Sequence, residues 1–250
     1  MMTLILNTWI FEQDVKNGTP QAELVDRTAK LGADGIEVRR EYFTDLETET
    51  ADVGERAKAK GLMVTYSVPD ELFFEDGQFN SKLTTYFDEA KVMGASKIKF
   101  NTGRFDRYRG NLKQDLSRLP LNKIEMNVEN DQTEASGNVA PIKAFLDSVR
   151  KIDLNRIGYV YDLGNWAFTG NDAIQSAKAL AAYTNYIHLK NTVSDHGKLK
   201  TSSDLNTGIY DWKRILNVLP NDVPIALEFP IATDKKIAAQ MAILRAGAEG

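Results

Sequence analysis

The sequence predicts an α/β fold of one kind, a single parallel eight-stranded (β/α)8 TIM barrel spanning residues 1–250. Three observations lead there. Eight short β-prone segments alternate strictly with eight helical ones, which implies parallel strands joined by right-handed crossovers. Eight such units in 250 residues match the size of this barrel, and no proline- or glycine-rich linker divides the chain. The rival, an open doubly wound sheet, ordinarily carries a glycine-rich phosphate loop after its first strand, whereas residues 7–18 hold one glycine.

Taken in order, residues 3–9 are apolar with polar flanks and read as a first strand. Thr19 is the expected N-cap of the first helix, with Pro20 at the first helical position and Glu23 in the first turn, and the helix closes at Leu31-Gly32. A strand follows at 35–39, a helix at 46–60 stopped by Gly61, a third strand at 62–67 and a helix at 81–93 ending in Gly94. The fourth strand covers 97–100, and the helix at 106–118 is ended by Pro120. The second half repeats the scheme, with strand 123–129 and helix 141–151, then strand 156–162 and helix 172–182. Strand 186–190 and a helix at 211–219 ended by Pro220 come next, then strand 223–228 and a last helix at 234–246.

Apolar residues make up 42% of the chain and charged residues 26%, an ordinary balance for a soluble globular protein able to bury a large core. A net charge of −4 argues against a nucleic-acid partner. The absence of cysteine excludes a disulfide framework, a thiolate zinc site and a cysteine nucleophile, and fits a cytoplasmic setting. Residues 1–10 contain no basic residue and run into Glu12 and Asp14, so they read as a strand rather than a signal peptide. No apolar run approaches the roughly 20 residues needed to span a bilayer. The expected partner is therefore a small molecule, not nucleic acid or membrane, and a homo-oligomer is compatible with this reading.

The functional signal lies at the strand ends. The chain has two histidines, and His188 sits in the alternating stretch Tyr186–Asn191, sharing a face with Tyr186 and Lys190. Glu129, Asp162 and Glu228 end the fifth, sixth and eighth predicted strands, and His188 lies near the end of the seventh. In a parallel barrel these ends form the active face, and consecutive strands are neighbours around the rim. Three carboxylates and one imidazole suit one divalent metal ion, Mn²⁺ first, with Mg²⁺, Co²⁺ or Zn²⁺ as alternatives. Glu129 and Glu228 flank the Asp162–His188 pair. They are the expected catalytic residues, one removing a proton next to a sugar carbonyl and the other returning it, through an enediolate.

At these residues the chain resembles the sugar phosphate isomerase/epimerase group of the xylose isomerase-like barrels, which includes ketose 3-epimerases and inosose dehydratases. The resemblance is carried by Gly35-Ile36-Glu37, Val128-Glu129-Asn130, Asp162-Leu163-Gly164-Asn165, His188-Leu189-Lys190 and Leu227-Glu228. It implies that Glu129, Asp162, His188 and Glu228 hold the metal, that the two glutamates carry the proton transfers, and that the substrate is a sugar or sugar phosphate. Two departures stand out: Asn165 replaces a histidine of some sugar epimerases, and the stretch from Thr192 to Asp195 lacks an arginine that some carry there. A metal-dependent dehydratase acting on an inosose-like compound is the alternative, and a catalytically silent sugar-binding barrel a second. The related abasic-site endonucleases need three zinc ions and many histidines, which this chain lacks.

Strand parity adds a further expectation. If Glu129 faces inward, so do Glu125 and Asn127, as do Lys97 and Lys99 on the fourth strand and Glu37 and Arg39 on the second. Buried charges persist only when paired, so Glu37, Arg39, Lys97, Lys99 and Glu125 are expected to pair inside the barrel, with Lys190 near the metal. Candidate substrate contacts are Trp9, Glu37, Tyr66, Lys99, Asn101, Arg104, Asn165, Trp166 and Lys190, with Arg107 and Arg109 in the same rim loop as Arg104. His196, beside Gly197 in a polar loop, is expected to be exposed.

Overall fold

The computed structural model describes residues 2–248. The first half of the barrel is built from β1 (Leu4–Asn7), α1 (Glu12–Lys16), α2 (Gln21–Leu31), β2 (Gly35–Arg39), α3 (Leu46–Lys60), β3 (Met63–Phe73), α4 (Leu83–Val92), β4 (Lys97–Gly103) and α5 (Leu112–Leu116). The second half comprises β5 (Glu125–Glu129), α6 (Val139–Lys151), β6 (Ile157–Asp162), α7 (Trp166–Thr169), α8 (Ala173–Leu180), β7 (Thr184–Leu189), β8 (Thr192–Asp195), β9 (Lys198–Thr201), α9 (Trp212–Leu216), β10 (Ile225–Leu227) and α10 (Asp234–Ala248). Eight strands close into a barrel in the order β1-β10-β7-β6-β5-β4-β3-β2, every pairing parallel. This is the predicted (β/α)8 TIM barrel, and no helix among the described residues is long and apolar enough to cross a membrane.

Local differences from the sequence expectation have local causes. Pro20, in extended conformation (ψ 145°), is itself the N-cap of α2, so the helix starts one residue later than its Thr19 signal suggested. The predicted helix at 106–118 breaks in two: residues Phe105–Arg107 make a 3-10 turn, and Asn111 caps a fresh start by accepting from the Gln114 N–H at 3.1 Å. β3 runs six residues beyond its predicted end at Ser67; Pro69 offers no amide to the ladder, and pairing with β4 resumes after a register shift, at Glu71 against Asn101. The antiparallel hairpin β8–β9 was not anticipated; it turns at His196-Gly197, both with positive φ (48° and 77°). His196 is exposed there, as expected.

Side chains alternate between two cores. Ile36, Val38, Tyr66, Ile98, Phe100, Met126 and Val128 belong to the large apolar cluster that the strands share with the helices. Inside the barrel a smaller cluster of Ile5, Val160, Tyr186 and Ala226, with Met63 packed on it, comes from β1, β6, β7 and β10. The remaining interior, on β2 to β5, is polar and charged. Lys97 Nζ meets Glu125 at 2.8 Å, so one of the expected interior pairs forms as such. Gly35 makes room for this interior: a methyl group there would stand 2.7 Å from the Met63 carbonyl oxygen and 3.2 Å from Ile5 Cγ1. Gly61 ends α3 in left-handed conformation with nothing near the missing methyl. Gly35→Ala is therefore expected to cost about 1–3 kcal/mol by overpacking, while Gly61→Ala costs about 1–2 kcal/mol of backbone strain alone. Urea unfolding checks both, and a second-site Met63→Ala change should rescue neither, because the Gly35 clash is with backbone.

Candidate metal centre

The centre forms because four strand ends turn the same way. Glu129 closes β5, Asp162 closes β6, His188 is the penultimate residue of β7, and Glu228 follows β10 directly. The register sets Asp162 opposite His188 and Ala226 opposite His188 on the other side, so Glu228 emerges one layer above the imidazole. One donor atom from each of Glu129, Asp162, His188 and Glu228 lies within 4.8 Å of the others, and all four residues are buried.

Each of these residues presents two donor atoms, and the protein holds one of them from behind, while Lys190 Nζ also reaches the second oxygens of Asp162 and Glu228. His188 Nε2 lies 3.0 Å from Glu37 Oε2. Asp162 Oδ1 accepts the Asn165 N–H at 3.1 Å. Glu228 Oε1 accepts from Arg39 Nη1 at 2.8 Å and from Asn7 Nδ2 at 3.3 Å. Glu129 Oε2 accepts from the Lys99 ammonium. The second atoms face the shared centre: His188 Nδ1 is 2.5 Å from Glu129 Oε1 and 3.3 Å from Glu228 Oε2. Despite that proximity, neither His188 Nδ1 nor Glu129 Oε1 has a partner in hydrogen-bonding geometry, although both are buried. Two unpartnered buried donor atoms aimed at one point, completed by two carboxylate oxygens, fit a divalent cation bound by oxygen and imidazole.

Electrostatics separates the carboxylates. Burial raises every one of them, and their cation partners decide the outcome. Glu129 is brought down to about 2 because the Lys99 ammonium and His188 outweigh its burial. Glu228 falls well below the usual carboxylate range through Lys190, His188 and Arg39. Asp162 is pushed up to about 7, since burial and the charges of Glu228 and Glu129 exceed what Lys190 gives back. Burial lowers His188, but Glu37, Glu228 and Glu129 raise it further.

Above the centre lies a cavity of about 310 Å³ lined by Trp9, Arg39, Lys99, Asn101, Glu129, Gln132, Asn165, Lys190 and Glu228, among others. That volume suits a ligand of monosaccharide size, at the small end of typical ligand sites. The structure thus brings Trp9, Lys99, Asn101, Asn165 and Lys190 to one cavity with Glu129 and Glu228. Four sequence candidates lie elsewhere. Glu37 is fully buried behind His188 and is bonded to Asn7, Thr65 and the imidazole. It orients the ring and is shut off from the cavity. Tyr66 points outward among the helices, its hydroxyl donating to Glu89 at 2.6 Å, because it has the opposite parity to Ser67. Trp166 is fully buried against Tyr161, with ring centroids 6.0 Å apart, since α7 folds under the rim. Arg104 turns to Asp106 at 2.8 Å and does not line the cavity, while Arg107 pairs with Glu75.

Several participants were missed. Arg39 was assigned only to the interior ion pairs, yet it reaches Glu228 and Glu41 and lines the cavity. Its parity with Glu37 carried the signal. Asn7 ends β1 and braces both Glu37 and Glu228; inward parity with Ile5 marks it. Gln132 enters from the loop after β5, held by donating to Asn165 Oδ1 at 3.1 Å, and nothing in its sequence surroundings announces this. Because Glu37 fixes the ring face of His188, Glu37→Gln is expected to weaken Mn²⁺ binding about 10–100-fold while the barrel stays folded. Isothermal titration calorimetry measures the affinity, and circular dichroism controls for folding.

A model of the xylose isomerase-like TIM barrel family matches residues 25–247. No curated protein matches the chain. Among solved structures, a probable 3-DHS dehydratase of Bacillus anthracis superposes with a TM-score of 0.73 at 16% identity, covering 98% of this chain and 99% of the other. An L-ribulose 3-epimerase gives a TM-score of 0.69 at 14% identity, covering 100% and 95%. A D-allulose 3-epimerase of Methylomonas sp. in complex with D-allulose gives 0.65 at 15% identity, covering 97% and 90%. At these identities the likeness is one of fold, whereas the family match extends over most of the barrel. The chain belongs to the xylose isomerase-like TIM barrel family.

Proposed function

We propose that the protein is a divalent-metal-dependent isomerase or epimerase of a sugar or sugar phosphate, working by proton transfer through an enediolate. The observation that carries this reading is the pair Glu129 and Glu228. Both line the cavity, and they reach it from either side of Asp162 and His188. Their cation partners keep both ionised near neutrality, so either can accept a proton from a carbon held between them, and the other, once it has taken a proton from solvent, can return that proton to the opposite face while the first releases its own to solvent. Trp9 offers an apolar ring, and Asn101, Asn165, Lys99 and Lys190 offer donors to hydroxyl or phosphoryl oxygens. Arg39 and Gln132 join them as proposed substrate contacts on the same wall. The cation, Mn²⁺ foremost, would be held by Glu129, Asp162, His188 and Glu228, and when bound it supplies charge stabilisation for the developing oxyanion. The absence of cysteine accords with a cytoplasmic setting.

A metal-dependent dehydratase is the second reading, and the ammonium groups of Lys99 and Lys190 beside the two glutamates favour it. Either can donate a proton to a departing hydroxyl.

Solvent-proton exchange tests the proposal and separates the readings. In D₂O with Mn²⁺, across ketoses, aldoses and inososes, the protein should exchange the hydrogen next to a carbonyl in at least one substrate. Loss of water from that substrate would assign the lyase. Glu129→Gln and Glu228→Gln should each slow exchange by about 10²-fold or more; near-wild-type turnover in both rejects the two-glutamate mechanism. Chelation should remove the exchange, and Mn²⁺ should restore it.

A further inference from the structure

The atoms facing the shared centre are not equally free. His188 Nδ1 and Glu129 Oε1 have no hydrogen-bond partner. Asp162 Oδ2 and Glu228 Oε2, by contrast, share one: Lys190 Nζ lies 2.5 Å from the first and 2.7 Å from the second. The ammonium therefore touches the same two oxygens that a bound cation needs. A divalent ion sits about 2.0–2.2 Å from carboxylate oxygens. With Lys190 in place, the two cations would be at most about 5 Å apart inside a buried site, where repulsion between like charges is poorly screened.

We infer that Lys190 and the divalent cation are mutually exclusive occupants of the centre, so that Lys190 is a built-in competitor which sets the apparent metal affinity and is released into the cavity when metal binds. This rests on the metal reading above. Three features support the exchange. Among the described residues Asp162 has no other cation within bonding distance, whereas Glu129 keeps Lys99 and Glu228 keeps Arg39 whatever Lys190 does. The Lys190 stem runs over Gly164, where a methyl group would stand 2.5 Å from Lys190 Cγ, so the glycine leaves the stem a channel. The ammonium also already lies 5.4 Å from the Trp9 ring centroid, and both residues line the cavity. A short swing towards the indole face keeps the charge stabilised by cation–π attraction and turns its N–H donors into the cavity. Metal loading then completes the substrate site: the order becomes cation first, oxygen-rich ligand second. Lys190 here is a positioning residue whose two places serve the two occupants.

The test is Mn²⁺ titration of chelator-stripped protein, wild type against Lys190→Met. A competing internal group scales the apparent affinity by the fraction of time it leaves the site free, about a tenth or less here. The variant should therefore bind Mn²⁺ about tenfold tighter or more, melt at a lower temperature than wild type in chelator, and gain more in melting temperature on Mn²⁺ addition. Equal or weaker Mn²⁺ binding by a folded variant overturns the inference and leaves the metal centre standing. Absence of binding in both proteins overturns the metal reading, and the inference with it. Should the variant not fold, amine acetylation of the wild type followed by mass spectrometry decides. Lys190 should label faster with Mn²⁺ than with chelator; an unchanged rate counts against the exchange.

Discussion

The structure depends on compensation of carboxylates withdrawn from water. Glu37, Glu129, Asp162 and Glu228 are all buried around one imidazole. An ionised carboxylate survives there only with a cation or several hydrogen-bond donors against it. The requirement explains Lys99 on Glu129, Arg39 on Glu228, Lys190 across Asp162 and Glu228, and Asn7 bracing Glu37 and Glu228. Exchanging Lys99 for an apolar residue would strand the charge of Glu129, whereas Glu228 keeps one cation when the other is lost. Unequal compensation also gives the carboxylates unequal character. Glu129, with Lys99 at its oxygen, is held at about 2, while Asp162, buried and crowded by two other acids, is pushed up to about 7.

This charge load shapes the barrel below it. The interior is split by strand: β1, β6, β7 and β10 supply an apolar plug, while β2 to β5 supply lysines, acids and amides. The plug removes water from one half of the interior and supports the His188 ring, which stands edge-on to Tyr186 with centroids 4.9 Å apart. The polar half is closed at its base by Lys97, Glu125 and Asn185, with Asn185 donating to Glu125. Gly158 is what admits Asn185, since a methyl group there would stand 2.0 Å from its amide nitrogen. A glycine on β6 thus serves a charge pair on β4 and β5.

Legibility in the sequence follows the same physics. Strand alternation is dictated by burial, so the fold and the inward parity of Glu37, Arg39, Lys97, Lys99 and Glu129 can be read without coordinates. Strand ends are also readable, because acids and a histidine closing consecutive strands converge on one rim; this brought out Glu129, Asp162, His188 and Glu228 together. Rim aromatics were only partly readable by the same rule: Trp9 lines the cavity, but Tyr66 and Trp166 do not. Tyr66 lies one residue off the inward parity of Thr65 and Ser67, and Trp166 lies past its strand in a turn of helix that folds under Tyr161. Proximity to a strand end says little about direction once the chain has left the pleat. The hairpin of β8 and β9 is mostly exposed, so it lacks the apolar alternation that reveals a strand. Gln132 reaches the cavity only through a loop conformation, which no periodicity encodes.

The division between held and centre-facing atoms bears on what this centre can vary. Each candidate ligand is oriented from behind by a partner on another strand or loop: Glu37 for His188, Lys99 for Glu129, Arg39 and Asn7 for Glu228, and the backbone of Asn165 for Asp162. A substitution at Glu37, Lys99, Arg39 or Asn7 removes a bond to a ligand atom, so these side chains resist change together with the ligands, whereas the Asn165 contact is made by backbone. Part of the cavity wall is under no such constraint, in contrast to Arg39, Lys99 and Lys190, which line it and hold ligand oxygens. Trp9, Asn101 and Gln132 touch none of the four ligand side chains by hydrogen bond, and they stand at or beyond the ends of β1, β4 and β5. On the proposed function, chemistry would be set by a doubly specified core of strand residues, and substrate choice by rim residues that make no hydrogen bond to the four ligands. A barrel built this way can keep one centre of buried ligands while the loops around it change, the division that the fold's active face allows.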